Sequence, residues 1–285
     1  VDQAPEDLAG ALQEAKKVSV GFSYWLQTEC LDPNGKAGNH DIRLRPDVMG
    51  SEDGLSKHPY IRECRRIRAL TTVTEQNVAI DLQDGPRSVY FDDSVGIGWY
   101  PIDIHQAGEG DVGTSTRTRP FQIPLGALIP IRTQNLIAAN KNIGTTHITN
   151  GCYRLHPVEW NIGESAGLLA SYALNSQRLP SAIHSDLRLL RKYQKTLVKN
   201  GIPLHWLVDV PVSDPDFAGV QLLVTSGGYG SKKDCLEFKP ESNLDVVDYD
   251  DWGELIKTHT SVSSLDFASM SRVDFARLIT ETDQT

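Results

Sequence analysis

Between Asn135 and Leu174 the chain carries a short apolar run, a polar loop and a helix-forming stretch, and this succession constrains the fold more than any other feature. The run Asn135-Leu-Ile-Ala-Ala139 reads as a buried strand. Ile162–Leu174, rich in Ala and Leu with Gly163 and Gly167 near its start, reads as a helix. Strand, loop and helix in this order are how nucleotide sites are commonly assembled, because a helix N-terminus points unsatisfied N–H groups and partial positive charge at whatever lies before it. Upstream, β-branched and aromatic runs at Ile67–Val73 and Ser88–Phe91, parted by the turn signal Asp84-Gly85-Pro86, predict strands of a mixed sheet.

Helices are expected on both sides of this region. Leu8, Leu12, Ala15, Phe22 and Leu26 recur on a helical period behind Pro5, Glu6 and Asp7, which predicts one N-terminal helix with an interruption at Gly21. The stretch from there to Pro59 is rich in Gly, Asp, Asn and Pro and reads as loop. Ser185 caps a second helix with Leu187, Leu190 and Leu197 on one side and Gly201 at its end. Beyond Trp206 the composition turns acidic and Ser-rich. Helix candidates there are Asp216–Thr225, Trp252–Lys257 and Val273–Ile279, the last with Ser271 and Asp274 in a capping-box arrangement.

Composition removes several classes of function. The 285 residues are 39% apolar and carry a formal net charge of −9, so the overall field opposes a grip on nucleic-acid phosphates or an anionic membrane. No run approaches the roughly 18 apolar residues a membrane span needs, and the opening VDQAPEDLAG lacks the basic and apolar regions of an export signal. The four cysteines, Cys30, Cys64, Cys152 and Cys235, are far apart with no C-x-x-C, which gives no metal or cluster spacing and predicts unpaired thiols. One literal G-x-G-x-x-G occurs, Gly108 to Gly113, but Glu109 and Asp111 would repel phosphate and no helical pattern follows it. It reads as an ordinary loop.

Four blocks in order resemble the FAD-dependent oxidoreductase family with a glutathione-reductase-like flavin fold. They are Tyr60-Ile-Arg-Glu-Cys-Arg-Arg-Ile67, with Cys64 where the family has serine; Asp93-Ser-Val-Gly-Ile-Gly98 with Ile102-Asp-Ile-His105; Phe121-Gln-Ile-Pro-Leu-Gly126 leading to Asn135-Leu136; and Thr146-His-Ile-Thr-Asn-Gly151 through Arg154-x-x-Pro157-x5-Gly163-x3-Gly167. The last block is the most specific. One departure is Asn140 before Lys141, where the family has a glycine; asparagine tolerates left-handed backbone better than most residues.

The resemblance implies an α+β protein, a partial α/β flavoprotein fold. Residues 1–134 would form a substrate-side cap with a mixed β-sheet, 135–206 the strand–loop–helix returning to the FAD-binding domain, and 207–285 a small helical tail. It implies FAD, with Asn140, Lys141, Pro157, Gly163 and Gly167 on the cofactor and Arg65, His147 and Arg154 as catalytic candidates acting on a small-molecule substrate. Guanidinium forks suit a carboxylate or developing negative charge, and imidazole suits the proton that accompanies hydride transfer. Arg66 and His105 are further candidates. A salt-bridged, structural role is the alternative for each arginine. Because the family's nucleotide-binding motif precedes these blocks, the chain is expected to start partway through the ancestral protein. Alone it should not hold FAD tightly, and its partner would be a missing N-terminal half or a second copy. The stretch 207–239 is similar, in degenerate form, to an S-layer homology repeat, which implies the rival reading: a non-enzymatic relic binding a glycan or protein at the cell envelope. Envelope, periplasm and cytoplasm all stay open as locations.

Overall fold

The computed structural model describes residues 5–106, 110, 112–226, 236–244 and 269–282. Gly108, Glu109 and Asp111 of the glycine match, Cys235 and the helix expected at Trp252–Lys257 lie outside the described residues. Contacts divide the chain into two compact units, Val1–Ile61 and Arg62–Thr285.

The first unit is built on one long helix, α1 (Pro5–Thr28), which runs through Gly21 without the expected break. A side chain added at Gly21 would meet nothing within 4 Å, so the residue weakens the helix locally without bending it. After α1 the chain turns twice. Asp32 Oδ1 accepts from the N–H groups of Asn34 and Lys36, both at 2.8 Å, and closes the first loop. A single turn of helix, α2 (Pro46–Met49), stops at Gly50, whose φ of 63° is the left-handed geometry glycine supplies cheaply. Within the unit Lys16 and Asp53 meet at 2.6 Å.

The second unit holds the core. Its short helix α3 (Glu75–Val78) and a 3-10 turn at Ile80–Leu82 precede two antiparallel strand pairs. Strand β1 (Ser94–Gly98) pairs with β4 (Phe121–Pro124), and β2 (Ile102–Ile104) pairs with β3 (Thr114–Thr116). The runs at Ile67–Val73 and Ser88–Phe91 do not become strands. Their backbone groups go singly to neighbouring segments, through isolated bridges of Ala69 to Pro130 and Val73 to Thr145 and through bonds such as Ser88 N–H to Pro120 C=O at 3.0 Å. β-branched sequence gives a ladder only where a partner runs alongside for several residues.

The helices α4 (His147–Tyr153), α5 (His156–Ser176), α6 (Pro180–Ser185) and α7 (Leu187–Lys199) follow, and the architecture is α+β. Helix α5 buries Val158, Ile162, Ser165, Ala166, Leu169 and Ala173, the i, i+4, i+7 stripe of a core-facing helix. It is pinned to β1 by polar bonds: Asn161 Oδ1 accepts from Ile97 N–H at 2.8 Å and the Ser165 hydroxyl donates to Val95 C=O at 2.5 Å. From the far side Tyr193 of α7 donates to Ser165 C=O at 2.6 Å. Helix α7 is capped by Asp186, one residue after the expected cap, because its carboxylate accepts from the N–H groups of Arg188 and Leu189.

Helices α8 (Phe217–Ser226) and α9 (Arg272–Thr282) put Phe217, Val220, Leu223, Phe275 and Ala276 into the same buried cluster as Leu197 and Leu204. Ser271 and Asp274 form the expected reciprocal start of α9, with Asp274 N–H to Ser271 Oγ at 3.2 Å and Ser271 Oγ to Asp274 Oδ2 at 2.6 Å.

Candidate functional site

The fourth block folds into a corner. Thr146 caps α4: its Oγ1 accepts from Thr149 N–H at 3.0 Å while Thr149 Oγ1 accepts from Thr146 N–H at 2.9 Å. One turn later Gly151 lies against β2, where a Cβ would come within 2.9 Å of Asp103 N. That close approach sets the next turn beside the same strand. Arg154, which ends α4, donates from Nη2 to Asp103 C=O at 2.8 Å and stands 3.2 Å from Glu63 Oε1. Only 5% of Arg154 is exposed, so its guanidinium lies against protein groups and not in the water-filled cleft that an open substrate anchor would occupy.

Beside it the loop before α4 and the first block converge. Ile67 N–H donates to Asn142 C=O at 2.9 Å and the Asn150 amide donates to Lys141 C=O at 2.7 Å. Lys141 faces Glu159 of α5 at 4.0 Å, and Cys64 lies in the field of both. Burial pushes the Cys64 thiol up, opposed by the positive charge of Lys141, so the thiol form is favoured over a reactive thiolate. Among the described residues Glu63 Oε1, Asn150 Oδ1, Arg154 Nε and Glu159 Oε1 are buried without a hydrogen-bond partner, although Glu63 Oε1 and Glu159 Oε1 have Arg154 and Lys141 as ion-pair neighbours.

The outer face of α5 borders this cluster. Its N-terminus lies at His156, not near Ile162, with Leu155 at the cap and Pro157 in the first turn. The sequence His-Pro-Val-Glu-Trp contains nothing that stops a helix from the proline onward, and proline is favoured at that place. Gly163 therefore sits two turns inside, its N–H committed to the helix, and what it offers a ligand is close approach. A Cβ there would meet only Ala139 O at 3.5 Å, and one at Gly167 would meet nothing within 4 Å. Trp160 and Leu174 flank the two glycines, 71% and 77% exposed. The segment Asn135–Ala139 runs alongside. Asn135 takes a left-handed turn conformation with φ of 56°, Ile137 is half-buried and Ala138 buried, and the segment makes no ladder among the described residues; Ala138 N–H donates to Leu128 C=O at 2.9 Å. Its strand expectation fails because no neighbouring strand pairs with it among the described residues. Asn140 holds Lys141 N–H with its own Oδ1 at 2.7 Å and has no positive φ, so the departure from glycine requires no left-handed turn.

The remaining expected site residues are spread. Arg65, His147 and Pro157 are exposed, Arg66 donates to Cys64 C=O at 2.7 Å, and exposed His105 sits 3.1 Å from Asp103. Glu159 and the Asp103 carbonyl were not foreseen. A glutamate two residues after Pro157 has no signature in sequence until the helix start is known.

Helix α5 thus presents half-buried Gly163 and exposed Gly167, and its Glu159 faces Lys141 of the preceding loop. The model of the family described as FAD dependent oxidoreductase matches residues 4–197, more than half of the chain, and the chain belongs to that family. FAD is its cofactor. No curated protein and no solved structure matches the sequence. The family match ends before α8, and the packing of α8 and α9 into the core gives the S-layer likeness of 207–239 no support. Among the described residues no helix is long and apolar enough to cross a membrane, and no group of three His, Cys, Asp or Glu could hold a metal ion.

The open space over Gly167, where a Cβ would meet nothing within 4 Å, is compatible with a ring system such as that of FAD. No glycine turn suited to pyrophosphate occurs among the described residues.

Proposed function

We propose that the chain forms the flavin-ring and substrate side of an FAD-dependent oxidoreductase acting on a small organic substrate. When bound, the flavin supplies hydride transfer, the step no side chain here can perform. Asn140, Lys141, Pro157, Gly163 and Gly167 face the cofactor in this reading: the glycines admit the ring, and Lys141 compensates negative charge on it. Arg65 and His147, both exposed, meet the substrate, Arg65 by binding an anionic group and His147 by carrying a proton. Arg154 is a positioning residue that ties Glu63 to the Asp103 strand.

The observation that carries this reading is the empty space over Gly167 on a helix that is otherwise pinned at Asn161 and Ser165. A soluble helix gains stability when such a glycine is replaced, by about 0.8 kcal/mol on propensity alone, so the glycine costs something that binding would repay. Gly167→Leu should leave the melting temperature unchanged or raised while weakening quenching of flavin fluorescence by the protein at least tenfold. Equal flavin binding by wild type and Gly167→Leu sinks the placement.

A further inference from the structure

Away from that face, the turn after β4 brings three polar groups to one floor. Asp93 is 8% exposed and its Oδ2 accepts from Gly126 N–H at 2.9 Å, which fixes the carboxylate. His184, near the end of α6, brings Nε2 to 3.2 Å from the same oxygen. Thr71 completes the group through Thr71 N–H to Gly126 C=O at 3.1 Å. Gly126 makes the assembly sterically possible. A Cβ there would fall 2.3 Å from Thr71 Oγ1 and 3.1 Å from His184 Nε2, so any side chain would drive the hydroxyl and the imidazole apart. The three groups open into a pocket of about 400 Å³ whose other walls are Phe91, Leu187 and Leu190.

Each of the three has unused capacity. Among the described residues Thr71 Oγ1 and Asp93 Oδ1 make no hydrogen bond, and His184 makes no hydrogen bond or ion pair beyond Asp93. His184 Nε2–H donates to Asp93 Oδ2, so what stays open toward the pocket is the Asp93 Oδ1 acceptor and the Thr71 hydroxyl, which can accept as well, and a group with several donors and a positive charge satisfies both together. A primary ammonium has three N–H donors and no acceptor. Asp92 adds a second carboxylate at the rim, while Arg191 on α7, whose charge also reaches Asp92 and Asp93, is hydrogen-bonded to Asp92 C=O at 3.0 Å and to Gln194 at 2.5 Å.

We propose that the Thr71–Asp93–His184 pocket binds a small organic amine, its ammonium against the Asp93 carboxylate and its apolar arm over Phe91, Leu187 and Leu190. The site is separate from the flavin reading and stands without it. Charge-assisted bonds to a desolvated carboxylate supply the affinity, and the apolar walls select ligands with a carbon skeleton.

Benzylamine is a suitable probe, with benzyl alcohol and benzoate as isosteric controls. In an NMR titration of the full chain, the imidazole signal assigned by its loss in His184→Gln should shift saturably with benzylamine and not with either control. Asp93→Asn keeps an acceptor for Gly126 N–H but removes the charge, and should weaken binding by about tenfold or more. Thr71→Val, which preserves shape, should weaken it less and serves independently should Asp93→Asn fail to fold. An equal response to benzyl alcohol, or undiminished benzylamine binding in Asp93→Asn or in Thr71→Val, overturns the proposal.

Discussion

Arg154 and Glu63, ninety-one positions apart in the chain, stand 3.2 Å from one another with side chains only 6% and 22% exposed. Because the same guanidinium also holds Asp103 C=O, it joins the first block of the sequence to β2 and to the end of α4. Truncating one member of such a pair leaves the other charge buried, which typically costs about 3 kcal/mol or more. Arg154→Ala should therefore lower stability by about that amount, and adding Glu63→Gln should recover part of the loss. Chemical denaturation of the two single variants and the double variant measures the coupling. A loss of turnover in Arg154→Ala with no loss of stability would return this arginine to the role of an open substrate anchor.

Gly151 tests the same corner from the backbone side. A methyl group there would meet Asp103 N at 2.9 Å and Asp103 O at 3.1 Å, and neither is the end of a flexible side chain. The helix gains propensity from Gly→Ala, but the clash with a strand outweighs it, and overpacking of this kind costs about 1–3 kcal/mol. Gly151→Ala should lower the melting temperature, whereas Gly167→Ala, with open space around it, should not. Equal responses at the two positions would mean that α4 shifts freely relative to β2.

His205 predicts how the second unit responds to acid. The ring is 1% exposed, its Nδ1 faces Arg87 Nη1 at 3.4 Å and Gln122 Nε2 at 3.5 Å, and its Nε2 has no hydrogen-bond partner among the described residues. Burial, with Arg87 adding to it, holds the imidazole well below its ordinary value, so the folded protein keeps it neutral. In the unfolded chain it takes up a proton near pH 6.5. The unfolded state then binds more protons, so this contribution to stability is complete above about pH 6.5 and declines below it by up to about 1.4 kcal/mol per pH unit. Replacing the ring in His205→Gln should flatten that decline. Urea midpoints for the two proteins at several values between pH 5 and 7 give the comparison, and parallel curves would show that His205 is protonated when folded.

Much of the scaffold was legible because it follows from short-range rules. The apolar period of α7, the Ser271 and Asp274 start of α9 and the capping residues need only neighbours a few positions away. The strands were harder. Ile67–Val73 and Asn135–Ala139 have the composition of strands, but a ladder depends on a partner remote in sequence, and here their backbone bonds are single. The helix start at His156 was missed for a local reason: Pro157 reads equally as the residue before a helix and as its first turn. For the site, the block spacing brought attention to Arg154 and the glycines, yet Glu159 and the orphaned atoms around it become visible only when α5 is laid beside the Lys141 loop.

The last prediction concerns which part of FAD this chain recognises. On the proposed reading the ring end lies on the α5 face, where a Cβ at Gly167 would meet nothing within 4 Å and one at Gly163 only Ala139 O at 3.5 Å. The adenosine and pyrophosphate half needs backbone N–H groups at a glycine turn, and the one G-x-G-x-x-G in the sequence carries Glu109 and Asp111, whose charge opposes phosphate. Two or three missing phosphate bonds at about 1.5–3 kcal/mol each remove several powers of ten in affinity. The isolated chain should accordingly bind FAD, flavin mononucleotide and riboflavin with dissociation constants within about tenfold of one another, and purify without stoichiometric flavin. Fluorescence titration with the three compounds reads this directly. A strong preference for FAD over riboflavin, or tightly held FAD released only by denaturation, would show that a dinucleotide grip exists in this chain that neither the glycine pattern nor the described residues reveal.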